Sequence, residues 1–191
     1  MTLFRMLRSK KGQSLIELML IAPLMMALTF GAIEVGSVIS TYLTMSHTSR
    51  EGANLASRGT PPDQALAAIV AAAAPTLGTA NQTQWRIIYS RIIPDPLNPG
   101  VAEPYNFIVD NTASDGQLSA ATGTLSKASK LGAPGTQVNQ AILPGIQNVK
   151  LQKFHVIEVF FDYAPSIITY VGRGINTDLY ERTIFTDVNG S

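Results

Sequence analysis

The sequence contains no cysteine. Disulfide bonds, thiolate metal sites and cysteine nucleophiles are therefore all excluded. Histidine is almost as scarce, and the two that occur, His47 and His155, are too few for a metal cage. The motif Gly-x-Ser-x-Gly of serine hydrolases does not occur either. We therefore expect a protein that is not an enzyme and that uses no cofactor, metal or small-molecule substrate.

Basic residues are sparse outside the N-terminus. Arg5, Arg8, Lys10 and Lys11 are four of the 14 basic residues, which leaves 10 against 13 acidic ones and a balance of −3. A nucleic-acid-binding domain needs a basic stripe on its folded part, and the remaining sequence has none. We expect no nucleic-acid partner.

One long apolar run follows these charges. Leu18 to Ile39 contains 22 residues, and Glu34 is its only charged member. As a helix the run spans about 33 Å, close to the roughly 30 Å hydrocarbon core of a bilayer. Because basic residues resist translocation, we expect residues 1–11 in the cytoplasm, a single pass through the inner membrane, and an extracytoplasmic C-terminal domain.

Three interpretations of this segment compete. A cleaved secretory signal peptide has an apolar part of about 7–15 residues and a small-x-small cleavage site, which Glu34-Val35-Gly36-Ser37-Val38-Ile39 matches poorly. A plain signal anchor fits the hydropathy but leaves Glu17 unexplained. The third is a prepilin leader, because Lys11-Gly12-Gln13-Ser14-Leu15-Ile16-Glu17 resembles a prepilin peptidase site.

Further residues narrow this resemblance to one family. Glu17 and Pro23 are followed by Gly31-Ala32-Ile33-Glu34-Val35-Gly36, and then by the run Ser49 to Gly59. This ordered set resembles TadE-like proteins, the minor pilins or pseudopilins of the tight-adherence pilus, over residues 12–59. One departure is that many type IV pilins begin their mature chain with phenylalanine, whereas this one would begin with Gln13.

The resemblance implies a processed membrane protein of a filament system. The leader, residues 1–12, is cut between Gly12 and Gln13, and Glu17 becomes the fifth residue of the mature chain. Prepilin peptidase, other pilin and pilus-assembly subunits and the membrane are the implied partners, and the mature chain lies in the inner membrane or in an extracellular pilus. Two alternatives stay open: a pseudopilin of another type IV pilus or secretion system, and a signal-anchored extracytoplasmic binding or enzymatic domain.

Glu17 lies near the edge of the apolar run. A charge at the centre of a membrane helix costs about 2.5–3.5 kcal/mol, and less near the interface. Cleavage creates a partner, the α-amine of Gln13, but along one helix the two residues are about 6 Å apart. The resemblance implies that Glu17 pairs with the amine of a neighbouring subunit. The alternative is a glutamate that snorkels to the headgroups.

Glu34 also has two interpretations. Ala32, Gly36 and Ser40 follow one another at four-residue intervals beside it, and such a ridge of small residues permits close helix contact. The set Ala32, Glu34, Gly36 and Ser40 is therefore a candidate helix interface. Equally, Glu34 fits a position at the outer headgroup level.

The remaining chain predicts an α+β fold. The transmembrane helix extends in water to Arg58. Thr60-Pro61-Pro62-Asp63 predicts an N-cap at Thr60 with an acid three residues later, and it opens a second helix that Pro75 ends after Ala74. Strands are predicted at 85–93, 154–163 and 179–188, with a short fourth one at 107–109. We therefore expect a small extracytoplasmic domain over residues 59–191, with a three- or four-stranded antiparallel sheet half covered by helix.

Two expectations concern the surface of this domain. Ile157, Val159, Phe161 and Tyr163 should face the core, whereas Glu158 and Asp162 are either a carboxylate pair or charges on a solvated sheet face. Residues 94–150 hold 12 Gly or Pro among 57 residues, which favours a long insertion that is mobile and lies on the surface.

Overall fold

A computed structural model describes residues 10–77, 82–97, 106–109, 119–146, 152–164 and 177–186. Two helices precede five strands, with a 3₁₀ turn at Gln82–Gln84 before the first strand. The elements are α1 Lys10–Ser57, α2 Pro62–Leu77, β1 Trp85–Pro94, β2 Phe107–Val109, β3 Ser119–Thr122, β4 Phe154–Tyr163 and β5 Thr177–Thr186. The α+β fold expected from the sequence is confirmed.

The chain divides into two compact units. The first contains residues 1–40 and 165–175, and the second contains residues 41–164 and 176–191. In the first unit the structure describes residues 10–40, which form the N-terminal part of α1 and include Pro23. Thr29 and Ser37 donate their hydroxyl hydrogens to the carbonyls four residues earlier, at 2.8 and 3.0 Å. These bonds satisfy polar groups within the helix itself.

The end of α1 is fixed by a glycine. Gly59 has a φ of +85°, its N–H donates to the carbonyl of Ala56, and the N–H of Thr60 donates to the carbonyl of Leu55. This pair of bonds is the Schellman motif, which needs a left-handed residue and therefore favours glycine. Helix α1 ends one residue before the position predicted from the sequence.

Helix α2 differs from its predicted bounds at both ends. The first helical residue is Pro62, and the carbonyl of Pro61 accepts the first intrahelical bond from Ala65, so Pro61 rather than Thr60 caps the helix. The helix also continues past Pro75 to Leu77. Pro75 lies in the last turn, where its disturbance is confined to the end of the helix, and only two helical residues follow it.

The five strands form one antiparallel sheet in the order β2-β1-β4-β5, and β3 also pairs with β1. The three long strands were predicted, and β4 has the predicted bounds. The strand β5 begins two residues earlier than expected, and Val188 lies outside the described residues. The strand β3 was missed because Ser119-Ala120-Ala121-Thr122 has no large β-branched or aromatic residue.

One face of the sheet packs against helices. The predicted core residues of β4 are buried on this side, and α2 contacts β1 and β3. Gly52 of α1 lies close to α2, because a Cβ atom built there would lie 2.0 Å from Cδ1 of Ile69 and 3.6 Å from Cγ1 of Ile157 in the sheet. A side chain at position 52 would therefore force the Ile69 side chain to move, whereas its contact with the sheet would be an ordinary one.

The other face of the sheet is covered by residues 128–146, the covering segment, which follows β3. Nine buried residues form a core cluster on this side: Ile92, Phe107, Val109, Leu131, Val138, Leu143, Ile146, Phe154 and Val156. The expectation that residues 94–150 form a mobile surface insertion stays a prediction, but four side chains of this segment are buried. Leu131, Val138, Leu143 and Ile146 supply the apolar side chains that make it a second covering layer.

Candidate functional site

The N-terminal part of α1 carries a continuous apolar surface. Between Leu15 and Ile39 its large apolar side chains are exposed, and Leu20 reaches 71 %. Soluble domains rarely expose apolar patches of this extent. Helix α1 is long and apolar enough to cross a membrane. This surface therefore indicates a membrane-anchored protein.

The predicted cleavage position lies at the start of this helix. Gly12 and Gln13 fall in the first turn of α1, and Glu17 follows one turn later with an exposed side chain. Residues four apart share one face of a helix, so Gln13 and Glu17 occupy the same side of α1. Cleavage and the role of Glu17 remain predictions.

The candidate interface around Glu34 is only partly assembled by the fold. Glu34 is buried, with 6 % of its surface exposed, although Ala32, Gly36 and Ser40 are exposed. A Cβ atom at Gly36 would meet no atom within 4 Å. Ala32, Gly36 and Ser40 share one exposed face of α1, whereas Glu34 is buried, and the role of the four residues as a helix interface remains a prediction.

The C-terminal part of α1, residues 41–57, has the opposite character. Met45 and Ser49 are fully buried, although Tyr42 and Leu43 are exposed. The hydroxyl of Tyr42 donates to Oε2 of Glu181 at 2.7 Å, and the hydroxyls of Ser49 and Thr183 lie 2.8 Å apart. These contacts attach this part of the helix to β5.

A buried carboxylate organises the opposite face. Glu158 is 0 % exposed and accepts hydrogen bonds from the Ser129 hydroxyl, from the Lys130 N–H at 3.0 Å and from the Tyr180 hydroxyl at 2.9 Å. The Lys130 ammonium lies 3.7 Å from the centre of the Tyr180 ring. Glu158 thus fastens the segment around residue 130 onto β4 and β5.

This environment also changes the chemistry of Tyr180. Burial raises the pKa of the Tyr180 hydroxyl above its ordinary value, and the nearby charge of Glu158 and the hydrogen bond to it raise the pKa further. The neutral hydroxyl is therefore the form that donates to Glu158.

The expectation of a solvated sheet face is wrong for Glu158. Sequence reasoning missed its role because an alternating strand pattern predicts a polar side chain to face solvent. The carboxylate pair is also unsupported, since Glu158 and Asp162 are four residues apart on one strand, or about 13 Å. Catalytic carboxylates lie about 5–9.5 Å apart.

The two histidines lie in different environments. His47 is exposed on α1, whereas His155 is buried on β4 with its Nδ1 atom 2.8 Å from the hydroxyl of Tyr89. Across the described ranges, no three side chains of the metal-ligating types come together as a cation site. Neither histidine is placed in a ligand set.

Comparison with known proteins identifies the N-terminal segment. Residues 12–54 match the model of the TadE-like protein family. No curated protein and no solved structure matches the chain. The match begins at the glycine of the predicted cleavage site and includes all of the exposed apolar surface. The resemblance to the TadE-like family is therefore confirmed over residues 12–54, and it supports an association with the tight-adherence pilus.

Proposed function

We propose that this chain is a minor pilin or pseudopilin of a tight-adherence type pilus, inserted in the inner membrane by α1 and processed between Gly12 and Gln13. The basic leader would lie in the cytoplasm and the sheet domain outside it. The chain would act as a structural subunit rather than an enzyme, with prepilin peptidase and other pilus-assembly subunits as its partners.

One observation carries the proposal. The apolar surface of α1 directly follows the peptidase-like sequence, so cleavage at Gly12 removes the charged leader and keeps the helix. A secretory signal peptide does the reverse, because its apolar part is removed with the leader. Retaining an exposed apolar helix serves a subunit that first resides in lipid and then packs against other subunits.

The charge at Glu17 fits the same proposal. A carboxylate near the lipid edge is stabilised by a positive partner, and cleavage supplies one at the new N-terminus. Within one helix the carboxylate and the amine are separated by about 6 Å along the axis. A neighbouring subunit displaced along that axis would bring its amine opposite Glu17, which would set the register between subunits.

The leading test is the mass of the mature chain from its native cell. We expect a chain that begins at Gln13, and Gly12→Ala should retain the leader because the peptidase requires the glycine. A plain signal anchor would begin at Met1, and a secreted domain would lack the apolar segment. Unaltered processing of Gly12→Ala in a cell that contains the peptidase would contradict the proposal.

A second test separates cleavage from assembly. Glu17→Ala should be cleaved normally but should reduce the amount of sheared pilus, because the register contact is lost. The matched control is Glu51→Ala, which removes an exposed carboxylate from the C-terminal part of the same helix. Wild-type piliation in Glu17→Ala would reject the pairing role and would leave the leader assignment intact.

A further inference from the structure

Strand β5 forms one edge of the sheet. It pairs with β4 over its whole length, from Thr177 opposite Tyr163 to Thr186 opposite Phe154, and among the described strands none pairs with its other side. Half of its backbone N–H and C=O groups therefore point away from the sheet. Such a row of groups is a template for pairing with a strand of another chain.

This edge lacks the features with which many proteins prevent such pairing, which are shortness, proline, lysine and bulges. Strand β5 has ten residues, contains neither proline nor lysine, and keeps one unbroken register with β4. By contrast, β2 and β3 contain three and four residues. Two of the charged side chains on β5 are engaged within the chain, Asp178 with Lys127 and Glu181 with Tyr42.

A groove follows one half of this edge, on the face that the covering segment covers. Its volume is about 400 Å³, which is within the roughly 300–1,000 Å³ of ligand sites and leaves room for a large side chain. The covering segment contributes residues 143–146, and the sheet contributes Phe154, Arg182, Ile184 and Thr186. Ile184 is 39 % exposed, and a strand added to β5 would cover it.

A second copy of the chain does not suit this edge. Tyr42 contacts Glu181 and Ser49 contacts Thr183, so residues 41–57 of α1 run in the same direction as β5. Antiparallel pairing of two β5 strands about a twofold axis reverses this direction in the second copy. Two copies anchored in one membrane, as proposed above, need the same direction. The occupant that fits is therefore a segment of a different chain.

We propose that β5 binds an extended segment of a partner protein, which adds an antiparallel strand with an apolar side chain opposite Ile184 and a carboxylate opposite Arg182. Main-chain hydrogen bonds give such a complex its affinity, and pockets for alternate side chains give it specificity. The apolar side chain lies over residues 143–146 and Phe154. Because Glu158 already lies opposite Arg182 on β4, the carboxylate of the partner adds selectivity more than affinity.

The test measures the fluorescence anisotropy of a labelled heptapeptide added to the full chain in detergent. Fluorescein-Thr-Thr-Phe-Thr-Glu-Thr-Thr-amide has the apolar and acidic residues two apart, so that both face the same side of the sheet. Its binding should be saturable. Replacing the phenylalanine by serine should weaken binding about tenfold, because the apolar burial is lost. Replacing the glutamate by lysine should weaken it about twofold to fivefold.

Methylated peptides test whether the bound segment is a strand. Alternate N–H groups of a strand point to opposite sides, so only one of the two alternate sets faces β5. N-methylation of that set should abolish binding, whereas N-methylation of the other set should leave it unchanged. A peptide held by its side chains alone would not show this alternation.

Two variants assign the binding to this edge. Ile184→Lys introduces the residue that protects natural edges and should weaken binding at least about tenfold. Thr177→Lys, at the exposed far end of the same strand, should bind as wild type. Arg182→Gln covers the case in which Ile184→Lys does not fold. It should retain the preference for phenylalanine over serine and lose the preference for glutamate over lysine.

Three results would overturn the proposal: no saturable binding, equal effects of the two methylated sets, or undiminished binding by Ile184→Lys. Sedimentation of the chain without peptide examines the other occupant, since a dimer that Ile184→Lys dissociates would assign the edge to a second copy and also overturn the proposal. The peptide assay does not depend on cleavage at Gly12. Its failure is therefore distinct from a failure of the proposed processing, which the mass of the mature chain measures.

Discussion

Helix α1 is continuous, but its two parts differ in which side chains are buried. In residues 14–39 the large apolar side chains are exposed and the carboxylate of Glu34 is buried. In residues 41–57 Met45 and Ala53 are buried and the carboxylate of Glu51 is exposed. The first part therefore suits a lipid environment or a contact with another protein chain, whereas the second part belongs to the core of the folded domain.

The largest expected effect is in the sheet domain, where Glu158 is buried and accepts three hydrogen bonds. Glu158→Ala should lower the free energy of unfolding by about 3–5 kcal/mol, since buried donors left without an acceptor cost about 1–3 kcal/mol each. Denaturant unfolding followed by Trp85 fluorescence measures the change. Glu51→Ala, at an exposed position, should change stability by less than about 0.5 kcal/mol.

A charge placed in the apolar part of α1 should have a different consequence. Leu24→Arg should cost about 2.5–3.5 kcal/mol of membrane insertion while leaving the unfolding of the sheet domain unchanged. The fraction of chain extracted from membranes by alkaline carbonate measures this effect. An equal loss of domain stability would show that residues 14–39 belong to the folded core, and the comparison would then fail.

The smallest expected effect comes from the same substitution, glycine to alanine, made at two positions of helix α1. Gly52→Ala should destabilise the domain by about 1–3 kcal/mol, because its Cβ atom would overlap the side chain of Ile69. Gly36→Ala meets no atom within 4 Å and lies in the apolar part of the helix, so it should leave the unfolding of the domain unchanged. Thermal unfolding of both variants checks the difference, and equal effects would contradict the packing at Gly52.

The sequence predicted those elements whose signal is local. The strand β4 was placed correctly because Phe154 to Tyr163 is rich in β-branched and aromatic residues. The end of α1 was placed within one residue because Gly59 suits the left-handed position that a helix end requires. The strand β3 lacked such a signal, and its pairing with β1 depends on a partner about 30 residues away in the chain.

The candidate sites divide in the same way. Gly12, Gln13 and Glu17 remain predictions, and they rest on the resemblance of a short stretch of sequence to a prepilin peptidase site. Glu158 could not be interpreted from its neighbours, since burial on the second face of β4 depends on Ser129, which is 29 residues away.

The sequence by itself determined the long apolar helix, the basic residues before it, the resemblance of residues 12–54 to TadE-like proteins and the presence of three long strands. Hydropathy, the order of the charges and residue type are properties of one short segment, so they can be interpreted from that segment alone. Only the tertiary structure decided that residues 128–146 cover the sheet and that Glu158 is buried. Each of these features depends on contacts between residues that are far apart in the sequence, and no local sequence pattern specifies such contacts.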